Sequence, residues 1–257
     1  MEFPEMDMLL FLIGAGFIAA FIDSVVGGGG LISVPALLFT GLPPGLVLGT
    51  NKLGGTLSSL TSTASFLFSG KINLKLVAVL FPLSFLGSVF GTYTVKQIPS
   101  DFLMPLVVGM LVAVTIYTLM KKNWGAKSSY NGLTKKTSVL LGGAAFMIGY
   151  YDGFFGPGTG SFLIFAFLLV GFDFVGASAN AKVLNLGSNI ASLSTFFLLD
   201  SVNIYYGLPM GLAMVAGALI GSQFAIRKGS TYVKPLFILV TSLLIGKQIW
   251  NLIAAYV

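Results

Sequence analysis

Four ionisable side chains lie inside long apolar stretches of the sequence, at Asp23, Lys52, Asp152 and Lys182. A charge at membrane depth costs at least about 2.5–3.5 kcal/mol on insertion scales, so such residues usually face a cavity or an opposite charge. One acid and one base in each half therefore fit two interpretations, a paired site at mid-depth or structural ion pairs that fix helix register. Because both lysines lie near the start of their segments, snorkelling to the interface is a third option.

Each acid precedes a glycine-rich run, at residues 27–30 and 156–160. Glycine costs about 1 kcal/mol and proline about 3 kcal/mol in a helix interior, so both runs predict helix breaks. Broken backbone in lipid is tolerated only where protein or water satisfies it. The amides at the restarts near Leu31 and Ser161 would form helix N-termini, which attract anions. The alternative is close helix–helix approach at glycine.

The composition predicts an all-α polytopic integral membrane protein. Of 257 residues, 56% are hydrophobic and 9% are charged, and the mean hydropathy is +0.95, whereas soluble domains carry about 25% charged residues. The absence of cysteine and histidine excludes disulfides, Cys/His metal sites and Ser-His or Cys-His nucleophile pairs. We therefore expect no enzyme, no metal and no cofactor. The net charge of +6 lacks a basic, aromatic-interleaved stripe, so no nucleic-acid partner is expected.

Eight hydrophobic segments are predicted, of which the first and fifth contain the glycine breaks. They cover residues 8–40, 46–69, 76–95, 102–120, 137–170, 176–199, 204–226 and 232–257.

The segment pattern repeats along the chain. Asp23 matches Asp152, and Lys52 matches Lys182. Further matches in register are Ser58 with Ser188, Ser62 with Ser192, Phe66 with Phe196, Asn73 with Asn203, Gly87 with Gly217, and Gly91 with Gly221. These matches indicate two homologous halves, as in many secondary transporters. The predicted division is residues 1–122, a basic linker at 123–136, and residues 137–257, and we assign the GxxxG pairs to packing.

Loop charges distinguish two topologies. If segments 1 and 5 each cross once, the halves are parallel and two basic loops face opposite sides. If both segments enter, break and return, the halves are inverted, and the basic loops 71–75, 121–136 and 227–234 all lie in the cytoplasm. The positive-inside rule favours this re-entrant scheme, with Lys96 and Asp173 as the exceptions. The acidic N-terminus does not resemble a signal peptide, so we expect the first segment to be retained.

Segments 2 and 6 also share a polar face. The positions follow i, i+3, i+7, i+10, which is one side of a helix. They are Lys52, Gly55, Ser59 and Ser62 in the first half, and Lys182, Asn185, Asn189 and Ser192 in the second. In lipid this face must point inward, where it would line a path or hydrogen-bond neighbouring helices.

The motifs of both halves resemble the TauE/SafE family of sulfite and organosulfonate exporters. In the first half these are FIDS at 21–24, before the glycines, and GTNK at 49–52. In the second they are YDG at 151–153, GPGTGS at 156–161 and AKVLN at 181–185. The resemblance covers nearly the whole chain and implies a bacterial inner-membrane permease for sulfur-containing anions. Ala179, Asn180 and Ala181 replace the GTN triplet in the second half, which argues against a strictly two-fold site.

These features lead to the hypothesis of a secondary transporter for sulfite or organosulfonates, with alternating access around an anion site at the bilayer midplane. The expected substrate-binding residues are Gly28, Gly29, Gly30, Ser33, Asn51, Lys52, Gly158, Thr159, Gly160, Ser161, Lys182 and Asn185. Asp23 and Asp152 would orient the lysines or carry a coupling proton, with each acid paired to the lysine of the next segment. The expected partners are the small anion and the lipid bilayer, with a homodimer as an option.

Two rival functions remain open from the sequence. A cation/proton exchanger would use Asp23 and Asp152 as ligands, although hard cations want several oxygen ligands and each site offers one carboxylate beside a lysine. A membrane scaffold without transport would need the lysines for stability alone.

Overall fold

The structure, a computed structural model, describes residues 5–99, 102, 128–130, 132 and 134–229. Over these ranges the chain forms eight α-helices, which confirms the all-α prediction for this part. Apart from Phe102, the predicted segments 102–120 and 232–257 lie outside the described residues. Half of the basic linker at 123–136 lies outside them too, and so do the positions from 230 to 234 of the last basic loop.

Four helices form the first half of the described chain. They are α1 (Met6–Val26), α2 (Gly30–Leu38), α3 (Pro44–Phe68) and α4 (Leu74–Lys96). Helix α3 begins at Pro44, whose fixed φ suits the first turn of a helix. The Asn73 side chain caps α4 by accepting a hydrogen bond from the Leu76 amide at 3.2 Å. The helix ends lie within a few residues of the predicted segment ends.

The second half repeats this order of long, short, long and long helices. They are α5 (Lys135–Phe154), α6 (Thr159–Leu169), α7 (Phe174–Leu198) and α8 (Ile204–Lys228). Asp173 caps α7 by accepting from the Gly176 amide at 2.9 Å, and Asn203 caps α8 by accepting from the Tyr205 amide at 3.1 Å. Asp173, an exception in the loop-charge pattern, therefore has a local structural role.

The structure confirms both predicted helix breaks. Gly27, Gly156 and Gly158 have φ angles of 81°, 99° and 88°. Glycine adopts this left-handed backbone without the steric cost of a Cβ atom. Each break is therefore built from residues that favour it locally.

After the first break the chain returns alongside α1. The Gly29 amide donates to the Asp23 carboxylate at 3.2 Å. Near the other end of the two helices, the ring of Phe39 lies 6.1 Å from the ring of Phe11. Helices α1 and α2 therefore form a hairpin whose tip is the glycine run.

The second half contains the corresponding hairpin. Just beyond α6, the Gly171 carbonyl accepts from the Ser129 amide at 2.7 Å. The rings of Tyr130 and Phe172 stack with their centroids 4.1 Å apart. Because residues 129 and 130 lie just before α5, the end of α6 lies close to the chain that leads into α5.

The two halves pack by exchanging their last described helices. Helix α8 packs on α1 and α3 of the first half, and α4 packs on α5 and α7 of the second. A Cβ at Gly87 would overlap the Phe146 carbonyl of α5, and one at Gly217 would overlap the Phe17 carbonyl of α1. This confirms the assignment of the GxxxG pairs to packing, because only glycine lets the backbones approach this closely.

Polarity is distributed as a lipid environment requires. The buried set is rich in serine, threonine and asparagine and includes Lys52, Asp152 and Lys182. The outer surface carries large apolar side chains, including Phe17, Ile18, Leu86, Phe90, Val139, Met147, Leu212 and Ile220. Three helices of the described part, α1, α4 and α8, are long and apolar enough to cross a bilayer. These features indicate a multi-pass membrane protein.

Candidate functional site

Two ion pairs connect the halves, and of their four side chains only Asp23, at 17% exposure, is not buried. Lys52 Nζ lies 2.8 Å from Asp152 Oδ1, and Lys182 Nζ lies 2.5 Å from Asp23 Oδ2. The lysine residues are 2% and 1% exposed, so the snorkelling interpretation is wrong. The expected pairing of each acid with the lysine of its own half is also wrong. The pairs are crossed because the two glycine breaks meet, which brings each hairpin tip against the third helix of the opposite half.

Local sequence places these four side chains at equivalent points. Asp23 and Asp152 lie in the last turn of α1 and α5, directly before the breaks. Each lysine lies eight residues after the first residue of its helix, α3 or α7, about two turns in. Both acids are therefore held by hairpin tips, and both bases by long helices that cross those tips.

The breaks meet through their backbones. Ser161 donates from its amide to the Gly27 carbonyl at 2.9 Å and from Oγ to the Val26 carbonyl at 3.0 Å. A Cβ at Gly27 would overlap the backbone of Gly160, and one at Gly30 would lie 2.8 Å from Pro157 Cα. The glycine runs thus serve two purposes, because they end helices and also allow the close approach considered as their alternative role.

A polar cavity of about 40 Å³ lies where the breaks meet. This volume accommodates about two to three water-sized groups. The lining residues are Asp23, Gly27, Gly29, Gly30, Ser33, Asn51, Lys52, Gly55, Asp152, Gly156, Gly158, Thr159, Gly160, Asn185, Asn189 and Met214.

Most of the residues expected to bind substrate line this cavity, together with both acids. Three do not belong to the lining, namely Gly28, Ser161 and Lys182. Ser161 is held by the first break, and Lys182 is held by Asp23. The cavity is therefore asymmetric, because Lys52 reaches it and its counterpart Lys182 does not.

Two restart amides expected to be free already have protein acceptors. The Leu31 amide donates to the Gly28 carbonyl at 3.1 Å, and the Ser161 amide donates to the Gly27 carbonyl. The Gly29 amide is also engaged, by Asp23. In this conformation these amides stabilise the breaks, because the chain turns tightly enough to supply acceptors for them.

Five lining residues were not expected to contact the substrate: Gly27, Gly55, Gly156, Asn189 and Met214. Gly55 and Asn189 belong to the predicted inward polar faces, and a Cβ at Gly55 would lie 3.0 Å from Asn189 Oδ1. The helical spacing was therefore sufficient to find them. Met214 of α8 gave no signal, because methionine in an apolar helix is typical of core packing.

The remaining polar residues of the two faces bind helix backbone. Ser59 Oγ donates to the Gly55 carbonyl at 2.7 Å, and Ser62 Oγ donates to the Ser58 carbonyl at 2.8 Å. Ser192 Oγ donates to the Ser188 carbonyl at 2.7 Å and also lies 2.6 Å from Ser88 Oγ of α4. This part of each face serves helix packing, and only the part nearest the breaks lines the cavity.

A polar site between two halves of a multi-pass helical protein is typical of secondary transporters, and the sequence comparisons indicate a membrane transporter. Residues 12–247 match the family model described as "Sulfite exporter TauE/SafE", and the chain belongs to this family. No solved structure matches the chain.

Among similar proteins is "Probable membrane transporter protein ORF9" of Sinorhizobium sp., with 40% identity over 91% of this chain and 89% of the relative. A "Probable membrane transporter protein" of Haemophilus influenzae is 35% identical over 95% of this chain and 96% of the relative. "Probable membrane transporter protein YfcA" of Escherichia coli K12 is 32% identical over 96% and 91%. These names describe transporters and no enzyme.

Proposed function

We propose that this protein is a secondary transporter of small sulfur-containing anions such as sulfite or organosulfonates. Access would alternate around the cavity at the meeting of the two glycine breaks. The observation that carries the proposal is the buried Lys52 ammonium, which lines a polar cavity. A buried ammonium with amide and hydroxyl groups around it suits a small oxyanion.

The two ion pairs together carry no net formal charge, and the cavity lining holds two carboxylates, Asp23 and Asp152, and one ammonium, Lys52. An anion therefore binds favourably only when the Lys52–Asp152 pair opens or its carboxylate is neutralised. Asn51, Asn185 and Asn189 supply amide groups around the same space. This arrangement links anion binding to a change in a buried ion pair, which is a suitable trigger for alternating access.

The proposed membrane arrangement has inverted halves, with α1–α2 and α5–α6 as re-entrant hairpins. The return of each hairpin toward its own start supports it, although α1 with its 21 residues is long enough to cross. The membrane would be the bacterial inner membrane, with loops 71–75, 121–136 and 227–234 in the cytoplasm. The division at residues 122 and 137 and a homodimer stay predictions.

A cation/proton exchanger remains the second candidate, and two observations weaken it. Both carboxylates already bind a lysine at 2.8 Å or less. Among the described residues no three acids, histidines or cysteines cluster in a way that would hold a metal ion. A hard cation prefers several oxygen ligands and would meet an ammonium group in each pair.

Flux of labelled sulfite or methanesulfonate through proteoliposomes tests the proposal. We expect Lys52→Gln to lower flux by about 10- to 100-fold, since a hydrogen bond to a charged group is worth about 1.5–3 kcal/mol. Lys71→Gln, at an exposed lysine between α3 and α4, is the matched control and should keep wild-type flux.

Lys52→Gln alone leaves Asp152 unpaired and can unfold the protein. The double variant Lys52→Gln with Asp152→Asn removes both charges and should keep the fold but not the flux. Wild-type flux in this double variant, or Na⁺-dependent stabilisation with no response to any sulfur anion, would contradict the anion proposal.

A further inference from the structure

The two ion pairs differ in how their carboxylates are satisfied. Asp23 accepts the Gly29 amide at Oδ1 and Lys182 at Oδ2, so both of its oxygens are engaged. Asp152 accepts Lys52 at Oδ1, while Oδ2 is buried and has no donor among the described residues. The Asp152 side chain is only 3% exposed. A buried carboxylate oxygen without a donor has lost its hydration and gained no hydrogen bond in exchange.

The pairs also differ in their relation to the cavity. Both members of the Lys52–Asp152 pair line it. Of the other pair only Asp23 does, since Lys182 is 1% exposed and lies behind its carboxylate partner. A ligand that enters the cavity can therefore contact Lys52 and Asp152 together.

A proton on Asp152 Oδ2 would remove the negative charge that this oxygen carries without a donor. The carboxyl O–H then becomes a donor on a residue that lines the cavity, and the loss of negative charge releases the attraction that holds Lys52. An oxyanion then has two partners of the right kind, a neutral O–H donor and an ammonium group. No equivalent site exists at Asp23, whose two oxygens already accept hydrogen bonds.

We propose that Asp152 carries the coupling proton, that the oxyanion binds between the Asp152 carboxyl and Lys52, and that Asp23–Lys182 is a fixed structural pair. This inference rests on the proposed anion transport. It assigns different roles to Asp152 and Asp23, which occupy equivalent positions in the sequence. One proton joins Oδ2 as one anion binds, and both leave on the opposite side. For a monovalent anion the cycle moves no net charge.

The charged and titratable groups around Asp152 come from three helices, α1, α3 and α5. Lys52 on α3 contacts it directly, and Asp23 on α1 lines the same cavity. Tyr151, next to Asp152 on α5, donates its hydroxyl to the Pro157 carbonyl at 2.6 Å. From α4, Thr92 donates to the Gly153 carbonyl at 3.2 Å and brings no charge.

The test compares Asp152→Asn with Asp23→Asn in proteoliposomes. The probe is whichever of sulfite, methanesulfonate and sulfoacetate the wild-type protein transports fastest. Two modes are measured, namely accumulation driven by a pH gradient and anion exchange without a gradient. One pH unit supports about tenfold accumulation at one proton per monovalent anion.

We expect Asp152→Asn to lose the gradient-driven accumulation. Its exchange, measured per folded protein, should fall because Lys52 loses its counter-charge, and the exchange that remains should no longer depend on pH, because an asparagine amide cannot take up a proton. Asp152→Glu should restore part of the accumulation. Asp23→Asn should lower the melting temperature and reduce both modes in proportion to the folded protein, with the pH dependence of exchange unchanged.

Gradient-driven accumulation that persists in Asp152→Asn, or that disappears selectively in Asp23→Asn, would overturn the division of roles while leaving anion transport intact. If the wild-type protein moves none of the three anions, the proposed function fails first and this inference fails with it.

Discussion

Gly87 and Gly91 on α4 face the backbone of α5 with no space for a side chain. A Cβ at either position would overlap a carbonyl oxygen, that of Phe146 or that of Tyr150. Gly143 on α5 is a helical glycine with no atom near its missing Cβ. At the residue scale, the same amino acid is therefore required at one position and replaceable at another.

We expect Gly87→Ala to destabilise the protein by about 1–3 kcal/mol, because the added methyl group forces two packed helices apart. Gly143→Ala, the control, should be neutral or stabilising by up to about 1 kcal/mol, since alanine favours helix more than glycine does. Thermal unfolding of detergent-purified protein measures both. Equal melting temperatures for the two variants would contradict the close approach of α4 and α5.

The second glycine break is held by side chains of its own hairpin. Tyr151 donates to the Pro157 carbonyl at 2.6 Å, and Thr159 Oγ1 donates to the Gly156 carbonyl at 2.7 Å. The first break is held by Asp23 of its own hairpin, which accepts from the Gly29 amide, and by Ser161 of the other hairpin, which donates to the Gly27 and Val26 carbonyls. At the scale of elements, the two hairpins reach similar shapes through different hydrogen bonds.

Tyr151→Phe should therefore cost about 0.5–1.5 kcal/mol of stability, the usual net worth of one hydrogen bond. Its loss should loosen α6 relative to α5 and increase hydrogen exchange at residues 156–160. Tyr205→Phe is the control, since Tyr205 lies in the first turn of α8, far along the chain from both breaks. Unchanged exchange at the break in Tyr151→Phe would show that the hydroxyl does not hold it.

Sequence alone predicted the elements well. Apolar runs, glycine breaks and capping residues are local signals, so the described helices lie within a few residues of their predicted positions. The inward polar faces followed from helical spacing, and most of the expected site residues do line the cavity. Tertiary details carry no such local signal. The crossed ion pairs, the contribution of Met214 and the exclusion of Lys182 depend on how the halves meet, which no spacing within one half specifies.

At the scale of the whole molecule, the halves depend on each other for charge neutralisation. Each acid is paired by a lysine of the opposite half, and the Ser161 amide joins the two breaks. Helices α4 and α8 are exchanged between halves as well. We therefore expect that neither half folds or transports on its own.

A double-mutant cycle can identify the pairing. We expect Lys182→Gln alone to cost up to about 3–5 kcal/mol, because it leaves the partly buried Asp23 carboxylate without its cation. Adding Asp23→Asn should recover much of this loss, which gives a coupling energy of about 0.5–3 kcal/mol. The comparison cycle combines Asp23→Asn with Lys52→Gln and should show weaker coupling. If this comparison cycle shows the stronger coupling, Asp23 pairs with Lys52 of its own half and not with Lys182.

The crossed pairs also impose an order on biosynthesis. Asp23 and Lys182 are 159 positions apart, and ribosomes add about 5–20 residues per second, so the partner of Asp23 is made about 8–30 s later. During that interval Asp23 lacks the lysine that neutralises it in the finished fold, so its charge is compensated by a proton, by water or by the insertion machinery. The second hairpin is in the opposite situation, since Lys52 has already been synthesised when Asp152 leaves the ribosome. The ion pair of Asp23 in the first half therefore forms only after Lys182 in the second half has been synthesised.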